Sequence, residues 1–252
     1  MTLAISIVMT VYNRERYLSK AIESILRQTR RDFELLIWDD GSTDHSVEIA
    51  HSYAAKDQRV RVLLGEHLGQ GCALKAAFAA TTGAYIGQVD SDDFIAPTAL
   101  EETAAVLDTY PEVGLVYTNY TVIDEEGRIK GEGKRCQIPY SKDRLLVDFM
   151  IFHFRLIRRV VYDQVGGIDQ SFESVEDYDL CLRLSEVTQV KQIKHPLYYY
   201  RTHNNSLSHH KQIEQILLAQ KAISSALSRR QLSDRFEVNV QLTGKFSLQQ
   251  KK

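Results

Sequence analysis

Segments of two different hydrophobic periods alternate along the first 125 residues, and that alternation leaves few folds open. The run LAISIVMTV (3–11) is continuously apolar and rich in β-branched residues, the pattern of a strand covered on both faces. Tyr17, Leu18, Ala21, Ile22, Ile25 and Leu26 then fall on one face of a helix. FELLIWDD (33–40) reads as a second strand, followed by a helix from about Thr43 that carries Val47, Ala50 and Ala54. VRVLL (60–64) is a third strand. A loop with Gly65, Gly69 and Gly71 leads from it to a helix with Cys72, Ala73, Ala76, Ala77 and Ala80. AYIGQV (84–89) is a fourth strand, and Pro97 opens a helix with Leu100, Ala104, Leu107 and Tyr110. Strand and helix alternating at this spacing imply right-handed crossovers and an α/β fold with a doubly wound, mainly parallel sheet flanked by helices.

Beyond Pro111 the pattern changes. VGLVYTNYTVID (113–124) is a long strand, with Glu126 and Gly127 in the turn of a following hairpin. DRLLVDFMIFHF (143–154) is helical at its start, and VEDYDLCLRLSEV (175–187) is a helix. TQVKQIKHPLYYYRTH (188–203) reads as two extended pieces separated at Pro196. The last strong pattern places Ile213, Ile216, Leu217, Gln220, Ile223 and Leu227 on one helical face. There is no internal repeat or linker. The expectation is one domain over 1–210, divided at about residue 125, and a C-terminal helical appendage over 211–252.

Composition excludes several classes. Lys plus Arg is 31 against 33 for Asp plus Glu, a balance unlike that of a general nucleic-acid binder. The 3 cysteines, Cys72, Cys136 and Cys181, are scattered without metal-ligand spacing, as suits a reducing compartment. Leu3 to Val11 is too short to span a membrane and lacks the charged flank and cleavage site of a signal peptide, so a cytoplasmic location is expected.

In an open parallel sheet, ligands bind beyond the carboxyl ends of the strands. Here strand one ends in Thr10-Val11-Tyr12-Asn13, strand two in Asp39-Asp40-Gly41-Ser42-Thr43-Asp44, and strand four in Asp90-Ser91-Asp92-Asp93. Gly41 permits a tight turn, and Ser42 to Asp44 can cap the next helix. Asp39 or Asp40 can accept an N–H from a base, beside the flat face of Tyr12. An extended chain would point Asp90 and Asp92 to one side, a pair of hard oxygen ligands suited to Mg²⁺ or Mn²⁺, with Asp93 as a helix cap.

TVYN, WDDGSTD, GAYIGQVDSDD, GGIDQSFESVEDYDLCLRL and YRTHNNSLS, in that order, resemble the family 2 glycosyltransferases of the GT-A fold over roughly residues 3–210. The resemblance implies transfer of a sugar, with inversion, from a nucleotide-diphosphate donor, often UDP-linked. Residues 1–125 would bind the donor, and 126–210 would hold the acceptor and the catalytic base. By resemblance Thr10 and Tyr12 would contact uridine, and Asp40 would meet the uracil N–H. Asp90 and Ser91 would lie near the ribose and the metal, with Asp92 as direct ligand to Mn²⁺ or Mg²⁺. Arg201, His203 and Ser206 would face the diphosphate, His203 also on the metal. Asp177 would be the general base, with Glu176 the alternative. Thr10 stands where Pro is more usual, and Lys75, where Asn or Arg is common, can still pair with phosphate.

The acceptor implied is a glycan or glycolipid, in polysaccharide or cell-envelope glycan synthesis, met between Tyr117 and Phe172. The final helix, with Lys211, Lys221, Arg229 and Arg230, suits packing on the domain's own core or docking on an anionic membrane. Two residue-level readings compete at the base. Ser174-Val175-Glu176-Asp177 has the spacing of a capping box, though such boxes prefer Glu or Gln in last place. Asp179 has Arg183 as its partner one turn on. A metal-dependent nucleotidyltransferase would want a glycine-rich loop after strand one, which this chain lacks. A non-catalytic sugar-nucleotide binder would not need the acids at 176 and 177.

Overall fold

In β1 (Ile5–Val11), Ile5, Ile7, Met9 and Val11 share a cluster with Leu18, Ala21, Ile22 and Ile25 of α1 (Glu15–Leu26). Val8 joins Leu74, Ala77 and Phe78 of α3 (Gln70–Ala79) on the opposite side. β2 (Phe33–Asp39) repeats the division, Phe33, Leu35 and Ile37 on the first side and Leu36 on the second. The two-residue period of a strand thus sorts one continuous apolar run into two layers. Each buried apolar side chain is worth about 1.5–3 kcal/mol, so a one-residue slip in register would be prohibitive. The computed structural model describes residues 4–203 and 212–241.

The remaining strands are β3 (Val60–Leu64), β4 (Tyr85–Gln88), β5 (Phe94–Ile95), β6 (Val113–Ile123), β7 (Ile129–Glu132), β8 (Arg155–Arg158) and β9 (Gln189–Arg201). The sheet runs β3-β2-β1-β4-β8-β6-β9-β5, with β7 on β6. The first four strands in this order are parallel, as expected from their helical crossovers. β8 enters antiparallel to both β4 and β6, which places the second half of the chain against the carboxyl rim of the first. The other helices are α2 (Ser46–Ala54), α4 (Ala99–Thr109), α5 (Arg159–Gln164), α6 (Glu176–Val187) and α7 (Gln212–Arg229).

Four local expectations change. α2 starts at Ser46 rather than Thr43, because Asp39 Oδ1 takes the N–H groups of Gly41 and Ser42 and holds the intervening chain as a turn. The stretch 143–154 contains only the short 3₁₀ turn Arg144–Leu146. Extended pieces do not part at Pro196. β9 is one strand whose partner register jumps from Ile193 to Pro196, a bulge that accommodates a residue without an N–H.

The packed face of α7 is the fourth. Ala222, Ala226 and Leu227 are buried in the same cluster as Leu180, Leu182 and Leu184 of α6, whereas Ile213 and Leu217 are exposed. Small residues set the contact, since alanines let the two helix backbones approach closely. Ser206 and Lys211 lie outside the described residues.

Candidate active site

The acidic segment after β4 is a turn, closed by Asp93 N–H donating to the Asp90 carbonyl at 3.1 Å. Asp90 and Asp92 therefore do not project together from an extended strand. Asp90 Oδ1 accepts from Gln88 Nε2 at 2.7 Å, and its Oδ2 lies 3.4 Å from His153 Nε2. Asp92 Oδ2 accepts from Arg14 Nε at 3.2 Å and lies 3.0 Å from His203 Nε2. Asp93 caps no helix. It is buried, and its Oδ1 accepts from Arg201 N at 2.6 Å.

Arg201, expected to face the diphosphate, is also buried. Its Nε donates to the Asp92 carbonyl at 2.7 Å, and its Nη1 to the carbonyls of Glu125 and Asp124 at 2.7 and 3.1 Å. The guanidinium thus ties the acidic turn to the β6–β7 hairpin, while its plane lies over the Tyr17 ring. Ser91 is buried within the turn.

Among the described residues, no three His, Cys, Asp or Glu side chains are gathered into a formed metal site. The residues present nonetheless fit a divalent cation. Burial, then the charge of Asp92, pushes the Asp90 carboxyl up to about 6. Burial, then Asp92 and Asp90, raises Asp93 well above the usual range. Burial opposes ionisation of Asp92 too, but the His203 contact and the Arg14 charge outweigh it and hold that carboxyl low. Crowded carboxylates with an imidazole alongside are a donor set for Mn²⁺ or Mg²⁺, whose charge would relieve this strain.

At the neighbouring strand ends, Tyr12 and Asp40 converge on one side chain. The Tyr12 ring stacks on His67 with centroids 3.9 Å apart, and Asp40 Oδ2 lies 2.8 Å from His67 Nδ1. Asp40 also accepts from Leu68 N and Gly69 N at 3.1 and 3.2 Å. Asp39 serves the turn instead. Thr10 is half-buried on β1 beside Trp38, and Lys75 stands exposed on α3.

Asp177 lies in the first turn of α6. The capping box does not form, for Val175 occupies the N-cap position without a side-chain bond. Asp177 Oδ2 instead accepts from Arg155 Nη1 at 3.1 Å. Arg155 Nη2 lies 3.4 Å from His153 Nδ1, so polar contacts run from Asp177 through Arg155 and His153 to Asp90. Burial, then the charges of Arg155 and Arg135, holds His153 well below the usual imidazole range and therefore neutral. Glu176 is buried with no hydrogen-bond partner for Oε2 among the described residues, and burial, then Asp177, pushes its carboxyl up to about 7. Arg183 holds Asp179 at 2.6 Å, as its spacing predicts.

Arg14, His67, His153 and Arg155 were invisible to motif reading. One signal was available: Arg155 opens a short strand beside Leu156 and Ile157, and a charge buried there has to find a partner.

A model of the family described as Glycosyl transferase family 2 matches residues 6–166, more than half of the chain. The chain belongs to glycosyl transferase family 2. This family 2 chain is 34% identical over 225 residues to a chondroitin synthase of Escherichia coli, covering 89% of the chain and 33% of that protein. Against a hyaluronan synthase of Pasteurella multocida it is 30% identical over 204 residues, 81% of the chain and 21% of that protein. It spans a third or less of the length of these relatives.

Among solved structures, S. aureus TarS 1-349 in complex with UDP-GlcNAc superposes with a TM-score of 0.70 at 18% identity, over 91% of this chain and 70% of that one. The mannosyltransferase PcManGT of Pyrobaculum calidifontis, in complex with GDP-Man and Mn²⁺, gives 0.65 at 15%, over 92% and 76%. The fold is that of the GT-A glycosyltransferases.

Proposed function

We propose that this chain transfers a sugar, with inversion, from a UDP-linked donor to a hydroxyl of a glycan or glycolipid in polysaccharide synthesis. The observation that carries this reading is the series of contacts from Asp177 to Asp90, which joins a partly exposed carboxylate to the acidic turn. The relatives' names support a polysaccharide product, and the nucleotide sugars bound to the structural neighbours support the donor class.

In this reading the acceptor oxygen bonds to the anomeric carbon as the bond from that carbon to the diphosphate oxygen breaks, and the acceptor proton passes to Asp177. Arg155 holds the Asp177 carboxylate in place through a charge-assisted hydrogen bond. Glu176 is buried, away from an acceptor hydroxyl, and in this reading is not the base. Asp92, His203 and Asp90 would hold a divalent cation, which when bound supplies charge to stabilise the departing diphosphate. Arg201 positions that turn through the Asp92 carbonyl. Tyr12 and Asp40 receive the base.

No described helix is long and apolar enough to cross a membrane. Ile213, Ile216 and Leu217, exposed at the start of α7, would meet a lipid surface carrying the acceptor.

A panel of nucleotide sugars with Mn²⁺ or Mg²⁺ and oligosaccharide acceptors tests the reading through nucleotide release. One UDP-sugar should turn over, and chelation should stop it. Failure of every UDP-sugar to bind or react would overturn it.

A further inference from the structure

Tyr12 and Asp40 are the groups from which the proposed function builds a nucleobase subsite, and the role of any side chain that engages them rests on that reading. Both are engaged by one side chain of the same molecule. The His67 ring lies against Tyr12 at 3.9 Å between centroids, with 13° between the planes. Its Nδ1 is 2.8 Å from Asp40 Oδ2 and 3.0 Å from the Asp40 carbonyl. A flat nitrogen heterocycle stacked on the tyrosine and presenting a ring nitrogen to the carboxylate makes the contacts expected of the base. Another ring between them would need about twice that separation.

We propose that His67 is an internal competitor for the nucleobase, seated in the base subsite until nucleotide displaces it. The local construction suits a seat that can be vacated. His67 sits on a loop anchored by backbone, for Leu68 N and Gly69 N donate to the same Asp40 carboxylate and can stay when the ring leaves. Gly41, at φ +81°, brings the turn after β2 under this loop, where an added Cβ would sit 3.1 Å from His67 N. The side chain itself is 51% exposed, so swinging it outward breaks the stack and the two contacts of Nδ1 with Asp40 without opening the core. Tyr12 is 39% exposed and free to take a new ring on the same face. His67 thereby sets how tightly nucleotide binds, because affinity scales with the fraction of molecules whose subsite is open.

The test is calorimetric titration of wild type, His67→Ala and His67→Phe with UDP and with inorganic pyrophosphate, each with Mn²⁺. His67→Ala should bind UDP about tenfold more tightly than wild type, with pyrophosphate affinity unchanged, since only the base competes. His67→Phe, keeping the stack but not the bond to Asp40, should fall between. Trp38, the single tryptophan, abuts Gly65 at the start of the loop, so UDP should alter its fluorescence in wild type. Equal or weaker UDP binding by His67→Ala, with pyrophosphate binding intact, would make His67 a wall of the pocket and overturn the proposal. Failure of wild type and variants alike to bind UDP would overturn the nucleotide reading itself.

Discussion

The buried guanidinium of Arg155 lies 3.1 Å from Asp177, a carboxylate 30% exposed at the start of α6. The pair is asymmetric. Asp177 faces open space on one side, whereas Arg155 is enclosed, with His153 and Cys181 Sγ as its other polar contacts. Burial alone would lower the Arg155 pKa, but the charge of Asp177, the Cys181 thiol and the hydrogen bonds to both together raise it. The carboxylate thus serves two ends, offering a proton acceptor outward and a counter-charge inward.

That double duty predicts the behaviour of Asp177→Asn. Turnover should fall about 10²–10⁴-fold, the usual worth of a positioned base. The variant should also be less stable, because a buried cation left unpaired costs about 3–5 kcal/mol. UDP affinity, measured well below the midpoint of unfolding, should be nearly unchanged. Normal turnover in a destabilised variant would reduce Asp177 to a counter-ion.

Glu176 yields a pH prediction with a definite sign. Its carboxyl sits at about 7 in the folded chain against an ordinary 4.5, so the native state binds the proton more tightly than the unfolded one. The stability this provides is complete below pH 4.5 and lost as pH rises through 7. Glu176→Gln should therefore gain stability relative to wild type between pH 4.5 and 8, by about 3 kcal/mol at most. Thermal unfolding at the two pH values checks it, and a pH-independent difference would contradict it. Activity should largely survive the change.

Asp92→Ala should abolish the dependence of UDP binding on Mn²⁺. Its Oδ2 meets His203, and its carboxyl is the one of the acidic turn held low. Calorimetry with and without chelator decides the matter: equal UDP affinities for wild type under both conditions would remove the metal from this site.

Asp39 and Asp40 should separate by phenotype. Asp40→Ala should weaken UDP binding by about 1–3 kcal/mol, the loss of a buried hydrogen bond to a charged acceptor. This is best read in a His67→Ala background, where the competing ring is absent. Asp39→Ala should instead lower the melting temperature, because its Oδ1 secures Gly41 N and Ser42 N. The reverse assignment would follow if Asp39→Ala alone weakened UDP.

Arg201→Lys should fail to restore the wild-type structure around the acidic turn. One ammonium cannot reproduce the fork that reaches the carbonyls of Asp92, Asp124 and Glu125. A drop in melting temperature comparable to that of Arg201→Ala is expected. A lysine variant as stable as wild type would argue against this bracing role.

The sequence by itself determined the alternating first half, the two-layer sorting of β1 and β2, and the rim of carboxylates at the strand ends. These depend on short-range periodicity, which the chain carries locally. Asp179 with Arg183 was legible for the same reason, being one helical turn apart. The tertiary structure alone decided what the carboxylates face. Arg155 and His153 reach Asp177 and Asp90 because β8 inserts antiparallel between β4 and β6, a pairing that no local period encodes. Arg201 turns inward because a distant hairpin offers it carbonyls, and His67 lies on Tyr12 because a turn and a loop from separate strands meet over Gly41. Periodicity states which face of an element is apolar. Which polar groups end up in contact with one another depends on how the elements are stacked.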